Sequence, residues 1–210
     1  MQCDIRFANP WEAAGSPEKV EVVWPDGVRE EIEFNAYNPN ENTTAWLLLF
    51  DRSQSLDKKS VEVIRDDFGK IISGLRSKEK LGIASFAENF QLLSPIGAPR
   101  GELVNVLKDL KPVGKKTYLY QSALEGLEVL RNYRAKRKAL VIISDGKSED
   151  GPNVTYQDII AKANELGVVV YGIGYSEKPE NDVFLNELQE IARRTQGPSQ
   201  KEQLHREDAR

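Results

Sequence analysis

The feature that most constrains the fold is an apolar run without alternation, Trp46-Leu47-Leu48-Leu49-Phe50, ended by Asp51. Consecutive side chains of a strand point to opposite faces, so a strand that is apolar at every position must be covered on both. Ala139 to Ile143 and Val168 to Ile173 repeat the pattern. Between these runs lie segments of helical period. They are Val61, Ile64, Phe68, Ile71, Ile72 and Leu75, then Leu103, Val106, Leu107 and Leu110 between Pro99 and Pro112, then Leu119, Ala123, Leu127 and Leu130. Ile159, Ile160, Ala163 and Leu166, closed by Gly167, and Phe184, Leu188 and Ile191 complete the series. Parallel neighbours need crossover connections, so this order predicts an α/β fold: a doubly wound, mostly parallel sheet with helices on both faces. Leu81 to Phe86 and Gln91 to Leu93, joined by a tight turn at Ala87-Glu88-Asn89, predict an antiparallel edge to that sheet.

The first 44 residues read differently. Asp4 to Phe7 is short and extended, and Val20 to Trp24 and Val28 to Phe34 flank Pro25-Asp26-Gly27, a hairpin signal. A Pro/Asn/Thr stretch from Asn38 to Thr44 separates this element from the alternating region. The expected organisation is an N-terminal β extension over 1–44, an α/β domain over 45–197, and a polar C-terminal tail over 198–210 in which no apolar strand is evident. The hairpin suits either the covering of a sheet edge or the positioning of a partner.

Apolar residues at 40% and charged residues at 30% place the chain among ordinary soluble globular proteins. With 29 basic against 33 acidic residues it carries a formal charge of -4, which offers no electrostatic footprint for nucleic acid or an anionic membrane. Its longest apolar runs are too short to cross a bilayer, and no basic start precedes an apolar stretch, so neither membrane insertion nor a signal peptide is expected. Met1, the sole methionine, leaves open that a leader or anchor has been removed, and the compartment stays undetermined. Cys3 has no partner for an internal disulfide, and His205, the only histidine, lies in the polar tail.

In doubly wound sheets ligands collect beyond the carboxyl ends of the strands. The residues there are Asp51-Arg52-Ser53-Gln54-Ser55 after the first buried strand and Ser144-Asp145-Gly146 after the second. Asp51 and Asp145 with Ser53, Ser55 and one further hydroxyl make an oxygen-only ligand set, the type taken by Mg2+ and also accepted by Mn2+ and Ca2+. With few carboxylates the ion keeps net positive charge, so an acidic side chain from outside could occupy a vacant position. Thr117, in Gly114-Lys115-Lys116-Thr117-Tyr118-Leu119, follows this loop at a distance in the chain.

These residues resemble the metal-ion-dependent adhesion site of the von Willebrand factor A family, which has an Asp-x-Ser-x-Ser loop, a separate Thr and a separate Asp. The resemblance spans about residues 45–196, including Ala123-Leu124, Ile142 to Gly146 and Tyr171-Gly172-Ile173-Gly174. It implies a Rossmann-like domain in which Asp51, Ser53, Ser55, Thr117 and Asp145 hold a metal, with the serines and the threonine as direct ligands and the aspartates as direct or water-mediated ones. It also implies a binding module rather than an enzyme, whose protein partner supplies an Asp or Glu to the ion. The family usually continues after the Arg193 to Gly197 region with another strand and a closing helix, which the polar tail does not match.

Blander readings exist for each part. Asp and Ser favour helix starts, Asp145-Gly146 alone suits a turn, and Thr117 alone suits a helix cap. Lys108, Lys111, Lys115 and Lys116 could steer an acidic partner or simply be solvated. The basic cluster Arg131, Arg134, Lys136, Arg137 and Lys138 falls where a helix should end, as the helix dipole favours. Two other functions compete: an assembly adaptor inside the cell for an ATP-driven machine, and a Mg2+-dependent phosphohydrolase with Asp51 as nucleophile. Against the second, Ser53 stands where a haloacid dehalogenase phosphatase would have a second Asp, and no phosphate-binding loop or nucleophile elbow is present.

Overall fold

A computed structural model describes residues 20–32, 42–53, 58–176, 182–197 and 199–203. Cys3, Asp4 to Phe7, Ser55 and His205 lie outside the described residues. The chain divides into two compact units, 1–38 and 39–210.

In the first unit β1 (Val20–Val23) pairs antiparallel with β2 (Arg29–Ile32), with Val23 opposite Arg29. The turn closes through Gly27 N–H donating to the Trp24 carbonyl and Val28 N–H donating to Asp26 Oδ1, 2.8 and 3.0 Å. Val23, Trp24 and Val28 are exposed.

The second unit alternates strand and helix. The elements are β3 (Thr44–Asp51), α1 (Lys58–Gly74), β4 (Glu79–Phe86), β5 (Phe90–Ser94), α2 (Arg100–Lys108), α3 (Leu119–Arg131), β6 (Arg137–Ser144), α4 (Tyr156–Leu166), β7 (Val168–Ser176), α5 (Asp182–Arg194) and β8 (Ser199–Gln203). They form one six-stranded sheet in the order β5-β4-β3-β6-β7-β8, parallel except for the β4–β5 pair. The expected doubly wound sheet with an antiparallel edge is therefore present.

The unalternating apolar runs have the cause inferred for them. Leu47 and Leu49 of β3 pack with Leu127 and Leu130 of α3, Ile159 and Ala163 of α4 and Ile191 of α5. Their neighbours Leu48 and Phe50 pack on the opposite face with Phe68 and Ile72 of α1 and Leu103 and Leu107 of α2. Phe50 meets Phe68 edge to face, with ring centroids 5.2 Å apart. Two cores thus share one sheet, and each apolar β3 side chain serves one of them.

Two expectations are corrected. Ile71 was placed on the core-facing stripe of α1, yet it is 48% exposed while adjacent Ile72 is fully buried. Successive helical residues sit about 100° apart, and here Ile72 packs into the core while Ile71 turns outward. The tail over 198–210 shows no apolar strand, which made a final edge strand doubtful, yet Ser199–Gln203 forms β8, parallel to β7 from Gly172↔Ser199 to Ser176↔Gln203. A strand at a sheet edge can be held by its backbone ladder on one side, and polar sequence there discourages further pairing, so apolar patterning gives no sign of it.

The chain leaves β3 toward β4 and β5 on one side, then returns through α2 and α3 to β6 on the other. The reversal falls between β3 and β6, whose carboxyl ends are Asp51 and Ser144. This is the crevice where such sheets bind ligands.

Candidate functional site

Asp51 is the last residue of β3 and 1% exposed. Its Oδ1 accepts the Ser53 N–H at 2.8 Å, and its Oδ2 accepts the Ser144 hydroxyl at 2.8 Å. Ser144 Oγ in turn accepts the Gly146 N–H at 3.0 Å, which links the end of β6 to the end of β3. Burial pushes the Asp51 carboxyl up to about 6; the bonds from Ser53 and Ser144 pull against that, and the neighbouring charge of Asp145 adds to it. Asp145, 4% exposed, accepts the Lys147 N–H at 3.0 Å. Among the described residues no ion pair involves either aspartate.

The loop after β3 is braced from the side. Arg52 donates from Nε to the Lys111 carbonyl at 2.8 Å, and its own carbonyl accepts the Val113 N–H at 2.8 Å. Ser53, 2% exposed, forms an isolated parallel bridge with Gly114. A Cβ on Gly114 would lie 2.3 Å from the Ala87 Cβ, so only glycine allows the α2–α3 connection to come this close. Four residues on, the Tyr118 N–H donates to the Ala87 carbonyl at 2.9 Å.

Thr117 is buried at 4% exposure. Its N–H donates to Glu149 Oε2 at 3.0 Å, and its carbonyl accepts the Glu149 N–H at 2.7 Å. It does not cap α3. That helix takes its cap from Asp150, whose carboxylate accepts the N–H groups of Tyr120 and Gln121 at 2.8 and 3.0 Å.

Asp51, Ser53, Thr117 and Asp145 therefore lie buried on three loops at one end of the sheet. The described residues say nothing of Ser55. Sequence reasoning passed over Ser144, Glu149 and Asp150. Ser144 sits beside Asp145, but neither Glu149 nor Asp150 has a local signature, because each acts on a segment about 30 residues away.

The arrangement has a definite chemistry. Among the described residues no group of three or more His, Cys, Asp or Glu gathers in metal-binding geometry. A cation here would have two carboxylates and neutral hydroxyls, a hard-oxygen set that suits Mg2+, Mn2+ or Ca2+ and not zinc. Two buried acids with no paired cation among the described residues fit such an ion.

The basic cluster after α3 has a structural use: Lys138 Nζ donates to the Arg131 carbonyl at 3.2 Å, at the carboxyl end of the helix. Among the described residues, no helix is long and apolar enough to cross a membrane.

Comparisons with known proteins agree with this architecture. The family model of the von Willebrand factor type A domain matches residues 47–204, which takes in β8. A search of the curated proteins finds no relative. Among solved structures, the chain is similar to an aerotolerance-related membrane protein from Bacteroides fragilis, with TM-score 0.63 and 16% identity, covering 76% of this chain and 91% of that one. It is similar to a von Willebrand factor type A protein from Catenulispora acidiphila, with TM-score 0.65 and 15% identity, covering 77% of this chain and 38% of that one. It is also similar to the von Willebrand factor domain of the type V pili tip protein Mfa5 from Porphyromonas gingivalis, with TM-score 0.63 and 9% identity, covering 77% and 90%. Identities this low speak for the fold alone. With a match over most of its length and a sheet wound in the same manner, the chain belongs to the von Willebrand factor type A domain family.

Proposed function

We propose that this domain is a metal-dependent protein-binding module. Asp51, Ser53, Ser55, Thr117 and Asp145 hold a Mg2+ ion, and the partner protein completes its coordination with an Asp or Glu. The observation that carries the reading is the pair of buried aspartates at the topological switch point, flanked by buried hydroxyls and paired with no cation among the described residues. Burying a carboxylate is unfavourable unless a positive charge or hydrogen bonds compensate, and Asp51 has hydrogen bonds but no counter-charge among the described residues. A divalent ion would supply the charge and bring its own electrophilic face to the surface. Ser55 enters through the spacing of the motif alone.

Membership of the von Willebrand factor type A family, for which the resemblance implies a binding module, supports an interaction role over catalysis. So does the chemistry of the site: Ser53 stands where a phosphatase would need an acid, and no histidine lies among the described residues. The bound ion would act as a bridge to a partner carboxylate, and the protein's own residues would orient it.

The test is capture from native extract by immobilised wild-type chain in Mg2+ or in EDTA, with Asp51→Ala as control. The reading expects a protein retained in Mg2+ and released by EDTA, and absent from the Asp51→Ala resin. Retention indifferent to both EDTA and the substitution would contradict it.

A further inference from the structure

The thirteen-residue helix α3 begins beside Thr117 and takes its cap from far away in sequence. Its N-cap residue, Tyr118, contributes no side-chain cap. Asp150 does so instead, receiving the N–H groups of Tyr120 and Gln121 on its two carboxylate oxygens. The Ser148 hydroxyl donates to Asp150 Oδ2 at 2.5 Å and accepts the Asp150 N–H at 3.3 Å, so the carboxylate is oriented in advance. One residue earlier, Glu149 grips Thr117 from both sides through its carboxylate and its own N–H. Two adjacent residues thus make four hydrogen bonds to the segment 117–121. They sit on the same loop as Asp145, which follows β6 directly.

We infer that Glu149 and Asp150 are positioning residues for the metal site, latching the loop that carries Thr117 to the loop that carries Asp145. The inference rests on the metal reading above. Helix capping alone would not require the latch, because Thr117 lies before the helix and the Glu149 bonds satisfy none of the first-turn N–H groups of α3. What the latch does is hold two donors from different loops as one body. Residues that orient ligands in this way govern metal affinity without touching the ion, typically by about 10–100-fold.

The test is calorimetric titration of Mn2+ into the 210-residue chain and into Glu149→Ala, Glu149→Gln, Asp150→Ala and Asp158→Ala, with Tm in EDTA recorded for each. Asp158 is the N3 member of the capping box of α4, so its variant weakens a helix start without touching the latch. The expected result is Mn2+ binding weakened by roughly 10–100-fold in both Glu149→Ala and Asp150→Ala. Glu149→Gln should recover part of that loss, since its amide oxygen can still accept the Thr117 N–H, and Asp158→Ala should bind as wild type does. Wild-type affinity in the Glu149→Ala and Asp150→Ala variants would overturn the inference, as would an equal loss in Asp158→Ala. If Asp150→Ala does not fold, the Glu149 pair decides alone. No Mn2+ binding by the wild-type chain would remove the metal reading and the latch together; wild-type binding that the alanine variants share would remove only the latch.

Discussion

Helices α3 and α4 solve the same problem in different ways. The first turn of α4 is completed locally: the Thr155 N–H and hydroxyl both donate to Asp158 at 2.8 Å, three residues on. The first turn of α3 is completed by Asp150, 30 residues downstream of Tyr120. The local device serves the helix and nothing else. The distant one joins two loops, and those loops carry Thr117 and Asp145. A cap drawn from elsewhere in the chain thus turns a routine need of helix α3 into a constraint on the geometry of the site. On the proposed reading, that contrast separates what is built for stability from what is built for binding.

The largest effect should come from the charge that the α3 end of the sheet surrounds. Asp51→Asn keeps shape but removes the carboxylate, and should abolish any rise of Tm on adding Mg2+. In EDTA the same substitution should stabilise, and by more as the pH increases. The Asp51 carboxyl titrates at about 6 in the fold, above its ordinary 3.8, so folding favours its protonated form. That contribution is fully present below pH 3.8 and is lost as pH rises through 6, up to about 3 kcal/mol by pH 7. Thermal melts of wild type and Asp51→Asn between pH 4 and 7 in EDTA, read as a difference, should show the gap widening with pH. A constant gap would mean that the buried charge is compensated by something else.

A smaller effect is expected at Gly114, where a methyl group would meet Ala87. Gly114→Ala should destabilise by about 1–3 kcal/mol by urea unfolding, and should also weaken metal binding because Ser53 pairs with this residue. Loss of stability without loss of metal affinity would show that the brace beside Ser53 is structural only. The smallest effect belongs to Asp158→Ala, about 0.5–2 kcal/mol in stability with metal affinity unchanged. If instead it disturbed binding as much as Asp150→Ala, the contrast between the two helices would collapse.

The same contrast explains what could be read from the chain. The strands at Trp46 to Phe50, Ala139 to Ile143 and Val168 to Ile173 were legible because burial on both faces leaves a mark at every residue. Asp51, Ser53 and Asp145 were legible because they follow such strands directly. Strand β8, Ser-Gln-Lys-Glu-Gln, was not, since an edge strand can be specified by backbone pairing that leaves no apolar pattern. Glu149 and Asp150 were not legible either. Their meaning depends on Thr117 and Tyr120 being brought alongside, and only the winding of the chain through α3 and β6 does that. Ser144 was visible as a neighbour of Asp145, but its bond to Asp51 required knowing that β3 and β6 are adjacent.

The claim that the carboxyl ends of β3 and β6 form a metal site is tested most directly by a crystal of the chain grown with Mn2+ and measured for anomalous scattering. The account predicts a single strong peak bounded by Asp51, Ser53, Ser55, Thr117 and Asp145, lost on Asp51→Asn. No peak between the two aspartates at saturating Mn2+, or a peak that persists in the variant, would contradict it.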